Sequence, residues 1–217
     1  MGEITLVRHG QASFGADDYD KLSPLGHEQS RWLGQYIDAQ GWQFDAVYRG
    51  ALRRHRETAE GIAATFDAPS ITVDDRFDEM HYDPLQQAYL RETGSDAPQS
   101  RGDFLDIFPR IFAGWGNGTL AVDVEPFADF ETRVWAALEA ALLPDRSVLI
   151  VTSGGVIGVV LRRVLGLDLV TTADMLLNIH NASVHRIMQE EGRLRLSLFN
   201  ASPHLDHRDR AHARTYI

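Results

Sequence analysis

Arg8-His9-Gly10, the arginines between Leu52 and Arg56, and Ser153-Gly154-Gly155 are the residues of this sequence whose types and spacing suit chemistry. Each group lies where a strand ends or a helix starts, so all three can meet at one edge of a sheet. Two of the groups are cationic. An arginine fork matches a phosphate bidentately, and backbone N–H groups at a helix start donate to the same anion. The natural ligand is a phosphoryl group. A neutral imidazole beside it is a nucleophile that divides phosphoryl transfer into two steps through a phosphohistidine.

The elements that must position these residues alternate in type. Ile4 to Val7 is a short apolar run of the buried-strand kind that stops at Arg8. Ser23-Pro24 supplies an N-cap with proline at the first helical position, and Leu25, Trp32, Leu33, Tyr36 and Ile37 share one helical face. Phe44 to Tyr48 reads as a strand, Leu52 to Phe66 as a helix, Phe127 to Leu142 as a helix and Ser147 to Thr152 as a strand. Ser153-Gly154-Gly155 then leads into an apolar helix ending at Leu165, and two strands, Ser183 to Met188 and Leu194 to Phe199, close the chain as a hairpin-like edge. Between Asp83 and Glu125 the alternation lapses. There Phe104, Ile107, Phe108, Ile111, Phe112 and Trp115 form one stripe, read as core packing with a lid over the strand ends as the alternative. The expected fold class is α/β: one domain over residues 1–217, a mostly parallel sheet with helices on both faces, and a helical excursion around 84–125. In such sheets ligands gather beyond the carboxyl ends of the strands.

Composition narrows the function. The chain has 217 residues, within the range one α/β domain fills. Its 21 Lys and Arg against 31 Asp and Glu give a formal charge of −10, which argues against a broad nucleic-acid or anionic-membrane surface and makes any anion site local. The absence of Cys excludes disulfides, thiol catalysis and thiolate metal sites. No run approaches the roughly 18 apolar residues of a membrane span, so a cytoplasmic, soluble protein is expected.

LVRHGQ at Leu6 to Gln11 resembles the signature of the histidine phosphatase superfamily, the group that includes the cofactor-dependent phosphoglycerate mutases. Leu22-Ser23-Pro24-Leu25-Gly26 with Gln29 is similar to that family's L-T/S-x-x-G-x-x-Q helix start. VYRGALRRHRETAE, Val47 to Glu60, resembles its V-Y-S-S-x-L-x-R-x-x-x-T-A-E block, and Phe77 to Tyr82 resembles the L-N-E-R-H-Y stretch. LIVTSGGVI, Leu149 to Ile157, matches V-V-S-H-G-G-V-I. The resemblance implies that His9 attacks phosphorus, that Arg8 and Arg54 hold the non-bridging oxygens with Ser153 and Gly154, and that Glu79 is the general acid, with His81 beside it as a substitute. Gln11 and Ser13, just past the signature, are taken as substrate contacts. It implies a small phosphorylated substrate, no metal and no cofactor, and leaves a homodimer open. His9 must be neutral to attack, which a reference pKa of about 6.5 and two neighbouring guanidiniums favour.

Three positions depart from the family pattern. Ser153 stands where the family's second pocket histidine belongs, Gly50 replaces a serine ahead of the arginine helix, and no G-x-W-x-G follows Glu79. Losing one charge-stabilising donor costs on the order of 10² to 10³ in rate. The reading is therefore an attenuated phosphohydrolase working through phospho-His9, with a phosphoryl-ligand binding protein of little turnover as the second class and a mutase as the third. An imidazole at Ser153 should find an empty volume beside Arg8, His9 and Arg54. Plainer readings compete: Arg54 and its neighbours as a solvated face, Glu79 as one carboxylate of an acidic loop, Ser153 as a turn residue. The tail histidines His204, His207 and His212 match no metal-site spacing and read as a frayed terminus, and His180 and His185 as hydrogen-bonded structural residues.

Overall fold

A computed structural model describes residues 2–13 and 20–216. Its strands are β1 (Glu3–Arg8), β2 (Ala46–Arg49), β3 (Ile71–Val73), β4 (Ser147–Thr152), β5 (Val184–Glu190) and β6 (Arg193–Ala201), joined in one sheet of order β3-β2-β4-β1-β5-β6. β3, β2, β4 and β1 are parallel, whereas β5 pairs antiparallel with both β1 and β6. Its helices are α1 (Pro24–Ala39), α2 (Arg53–Ala63), α3 (Tyr82–Thr93), α4 (Arg101–Gly116), α5 (Phe127–Ala141), α6 (Gly154–Leu165) and α7 (Leu169–Leu176).

Successive strand residues point to opposite faces, which divides the core in two. Ile4, Leu6, Val148 and Ile150 pack with Phe112, Phe130 and Ile157 of α4, α5 and α6. Val7, Leu149 and Val151 pack on the other face with Leu33 and Ile37 of α1 and Ala59 and Ile62 of α2. The expected α/β sheet covered on both faces is therefore present.

Register decides where the chemistry gathers. Arg8 lies beside Thr152, Arg49 beside Val151, and Val73 beside Arg49, so the parallel strands all end at one edge. α1 starts as its sequence predicts, with the Ser23 hydroxyl accepting from the Gly26 N–H at 3.0 Å and Pro24 in the first turn. Gly10 and Gly26 permit close approach of the β1–α1 loop to this helix: a Cβ on Gly10 would lie 2.5 Å from the Gly26 carbonyl oxygen.

Four parts of the chain differ from the sequence reading. The excursion holds two helices, and α4, opened by a reciprocal Ser100–Asp103 capping box, turns Phe108, Ile111, Phe112 and Trp115 inward. Its stripe is core packing, and the lid alternative is dropped. β3 and α7 were not anticipated. The tail is docked instead of frayed: Gln29 Nε2 donates to the Ala213 carbonyl at 2.7 Å and to Thr215 Oγ1 at 3.0 Å, and His204 is buried. The closing hairpin is as expected, turning through Glu191 and Gly192, both at positive φ, the backbone a tight two-residue turn requires.

Candidate active site

Each of the four parallel strands delivers part of one pocket. β1 ends in Arg8 and leads to His9. β2 leads through Gly50 to Arg54 and His55 on the first turn of α2, β3 to Asp78 and Glu79, and β4 to Ser153 and Gly154 at the start of α6.

His9 is buried, and its Nδ1 lies 2.7 Å from the Gly10 carbonyl oxygen. A carbonyl only accepts, so Nδ1 carries the proton and Nε2 carries the lone pair. Burial, then the charges of Arg54 and Arg8, then His55 push the His9 pKa well below its usual value, and the Gly10 contact only partly opposes them. The imidazole is neutral near neutral pH, with a defined nucleophilic nitrogen.

The arginines separate by burial. Arg54 is 9% exposed, whereas Arg53 and Arg56 face solvent. Arg53 Nε is engaged by Glu57 at 2.6 Å, and Arg54 Nη1 donates to Asp20 at 2.7 Å. Asp20 also accepts from the Arg53 backbone N–H at 2.8 Å, capping the start of α2. Thr58, four residues after Arg54, braces the site: its Oγ1 accepts from the Gly10 N–H at 3.0 Å and donates to the Arg54 carbonyl at 2.7 Å. The Arg8 guanidinium donates to the Ile179 carbonyl and lies beside the start of α6, where a Cβ on Gly154 would sit 3.8 Å from its Nε.

Glu79 reaches the same place from the other side. Its Oε2 accepts from the Gly155 N–H at 3.1 Å and its Oε1 from the Met80 N–H at 3.0 Å. His81, the substitute considered from sequence, is exposed ahead of α3. Gln11 and Ser13, expected as substrate contacts, are engaged by the residues just ahead of α1. Gln11 Oε1 accepts from Ser23 Oγ at 2.8 Å, and Ser13 Oγ donates to the Leu22 carbonyl at 3.1 Å.

The volume expected to be empty beside Ser153 is filled. Ser153 is fully buried, and its Oγ lies 2.6 Å from Nε2 of His55, a residue the sequence reading passed over. The His55 ring is fully buried and its centroid is 5.9 Å from that of His9. His55 Nδ1 is 3.5 Å from Asp78 Oδ1. His185, fully buried, lies 3.0 Å from Ser183 Oγ and accepts from the Asn200 N–H, the structural role expected of it. Among the described residues no group of three His, Asp or Glu side chains is arranged to hold a metal ion, and no helix is long and apolar enough to cross a membrane.

A sheet delivering an Arg-His pair, a buried helix arginine and a carboxylate to one edge defines a class, and comparison with known families gives it a name. Residues 4–202 match the histidine phosphatase superfamily (branch 1), and the chain belongs to that family. It is 26% identical over 214 residues to the uncharacterized phosphatase PhoE of Bacillus subtilis, covering 94% of this chain and 97% of that one. A 2,3-bisphosphoglycerate-dependent phosphoglycerate mutase of Porphyromonas gingivalis is 32% identical over 102 residues, a match spanning 41% of the mutase. Among solved structures, a mycobacterial glucosyl-3-phosphoglycerate phosphatase with inorganic phosphate superposes with a TM-score of 0.67 at 25% identity, over 95% of this chain and 100% of that one.

Proposed function

We propose that the protein is a phosphohydrolase that removes a phosphoryl group from a small phosphorylated metabolite through a phosphohistidine on His9. The observation that carries this reading is the Nδ1 contact to Gly10, which holds the proton on Nδ1 and leaves the lone pair on Nε2 of a buried His9 that burial, Arg54 and Arg8 keep neutral. In the first step Nε2 attacks phosphorus, the ester P–O bond breaks, and Glu79 protonates the departing oxygen. In the second, water attacks phosphorus, the P–N bond breaks, Glu79 takes the water proton, and inorganic phosphate leaves. Arg8 and Arg54 hold the non-bridging oxygens, with the backbone at Gly154 adding an uncharged donor. Phosphoryl transfer consists mainly of positioning and charge stabilisation, which these groups supply. Two relatives named as phosphatases, one of them for a phosphorylated sugar acid, support the substrate class. Attenuation is not carried into the proposal, because it rested on a missing imidazole and His55 stands beside Ser153.

Brief incubation with a labelled phosphate ester and acid-free quenching should leave phosphate on His9 that is acid-labile and base-stable. His9→Ala should carry none and turn over no ester. Label persisting on His9→Ala, or label stable to acid, overturns the reading.

A further inference from the structure

We infer that Asp78, His55 and Ser153 form a protonatable arm of this pocket, in which His55 is a positioning residue that sets where the Ser153 hydroxyl donates. The inference rests on the reading of Arg8, His9 and Arg54 as a phosphoryl site.

A fully buried histidine is most often structural, but the surroundings of His55 are built for something further. Ser153 is the N-cap of α6 with the extended backbone such a residue needs, yet its side chain makes no capping bond. An N-cap hydroxyl contributes about 1 kcal/mol. Here that bond is forgone: the Gly155 N–H donates to Glu79, and the Ser153 hydroxyl meets His55 instead. Gly50 is the second sign. A Cβ there would fall 2.5 Å from Asp78 Oδ1 and overlap His55 Nδ1, so a side chain at residue 50 would fill the space the ring and carboxylate share. Asp78 is the third. The same Oδ1 that faces the ring accepts from the N–H groups of Ala51 at 2.6 Å and Leu52 at 3.2 Å. Burial would raise the Asp78 pKa, but these donors and His55 outweigh it and hold the carboxyl below its usual range.

An anionic Asp78 favours the proton on Nδ1, which leaves Nε2 to accept from the Ser153 O–H. The groups bearing on His55 come from every side: Asp78 and Glu79 from the β3–α3 loop favour the imidazolium, Arg54 of α2 opposes it, and the neutral His9 ring of the β1–α1 loop faces it without charge. Burial tips the balance, and the ring is neutral in the resting protein. A phosphoryl dianion offsets the opposition of Arg54. One proton from solvent then binds Nε2, the new N–H donates to Ser153 Oγ, and the serine proton turns to a phosphoryl oxygen. The pocket thereby gains a donor backed by a cation, stronger than a neutral hydroxyl.

The test reads the His55 imidazole directly, by nitrogen NMR of histidine-labelled full-length protein titrated with sulfate, a tetrahedral anion that does not itself titrate near neutral pH. The ring is identified by its absence from His55→Gln and its displacement in Ser153→Ala. Without sulfate, the Nδ1–H neutral tautomer is expected; at saturation, protonation at a pH where the free protein shows none. His55→Gln should lower kcat on the order of tenfold with KM nearly unchanged and flatten the alkaline limb of the pH profile, where the wild-type imidazolium loses its proton. His55→Ala combined with Ser153→His, which returns one imidazole to the emptied space, should recover part of that loss. If sulfate binds, as shown by its loss in Arg54→Ala, and the His55 ring does not respond, the arm is wrong while the phosphohistidine reading stands. Absence of label on wild-type His9 instead removes the reading beneath it.

Discussion

Glu79 reaches the start of α6 only because residue 155 is glycine: a Cβ there would overlap Oε1 of the carboxylate, and the Gly155 N–H is what Oε2 accepts. Gly155→Ala keeps the helix, since alanine is its best former, but must push Glu79 aside. General acid catalysis contributes on the order of 10² to 10⁴ in rate and matters most when the departing oxygen is basic. Gly155→Ala is therefore expected to slow formation of phospho-His9 from alkyl phosphates by on the order of 10²-fold while sparing its formation from an aryl phosphate with a good leaving group, as read by single-turnover labelling, with sulfate affinity unchanged. Equal slowing of that first step for both ester classes, or no slowing, would show that Glu79 is not the proton donor.

Arg54 is separated from Arg53 and Arg56 by burial as well as by register. Arg54→Ala is expected to lose phosphate or vanadate affinity by tenfold or more, a charge-assisted contact being worth roughly 1.5 to 3 kcal/mol. Arg53→Ala and Arg56→Ala should bind as wild type. Calorimetry showing equal losses for all three would point to a diffuse basic face.

What the sequence made legible followed from strong local signals. The N-cap and proline at Ser23-Pro24 place α1, the run Ser147 to Thr152 places β4, and the family-like blocks around them bring His9, Arg54, Glu79 and Ser153 to one sheet edge. β3 escaped because it has three residues, two of them exposed, too few to show a period. The docking of the tail escaped because it depends on Gln29 reaching Ala213, a relationship across the whole chain. His55 escaped because Gly50 and Ser153 were read singly as departures. Two residues smaller than expected and an extra ring directly after Arg54 are one compensated change, and that conjunction was the available signal.

Ser153→His shows the consequence of this compensation. With His55 Nε2 2.6 Å from the Ser153 hydroxyl, an added ring has no room. The single variant is expected to lose roughly 1 to 3 kcal/mol of stability, as overpacked cores do, and to gain no rate. Thermal unfolding beside aryl phosphatase assays decides it: a faster variant of unchanged melting temperature would mean that the space is open after all.

Two buried histidines set how the fold responds to acid. Neither ring nitrogen of His204 has a hydrogen-bond partner among the described residues, and the side chain is 3% exposed. Burial, reinforced by Arg210 and Arg214, lowers its pKa to about 3. Burial, with Arg8 and His180, lowers that of His185 likewise to about 3. Both titrate near 6.5 in the unfolded chain, so as pH falls below about 6.5 the unfolded state binds protons that the folded state refuses. The stability tied to each group is complete above about 6.5 and declines towards a pH of about 3. Each contributes a slope of about 1.4 kcal/mol per pH unit at most. His204→Leu removes one such group and orphans no side-chain partner. Its melting temperature near neutral pH should match or exceed wild type, and its fall with acid should be shallower by about one proton. His185→Leu shares the shallower slope but strands the Ser183 hydroxyl and the Asn200 N–H, which costs about 1 to 3 kcal/mol at every pH. Melting temperatures of both variants across the acidic range separate the two effects. An unchanged slope for His204→Leu would mean that the buried ring is not held neutral.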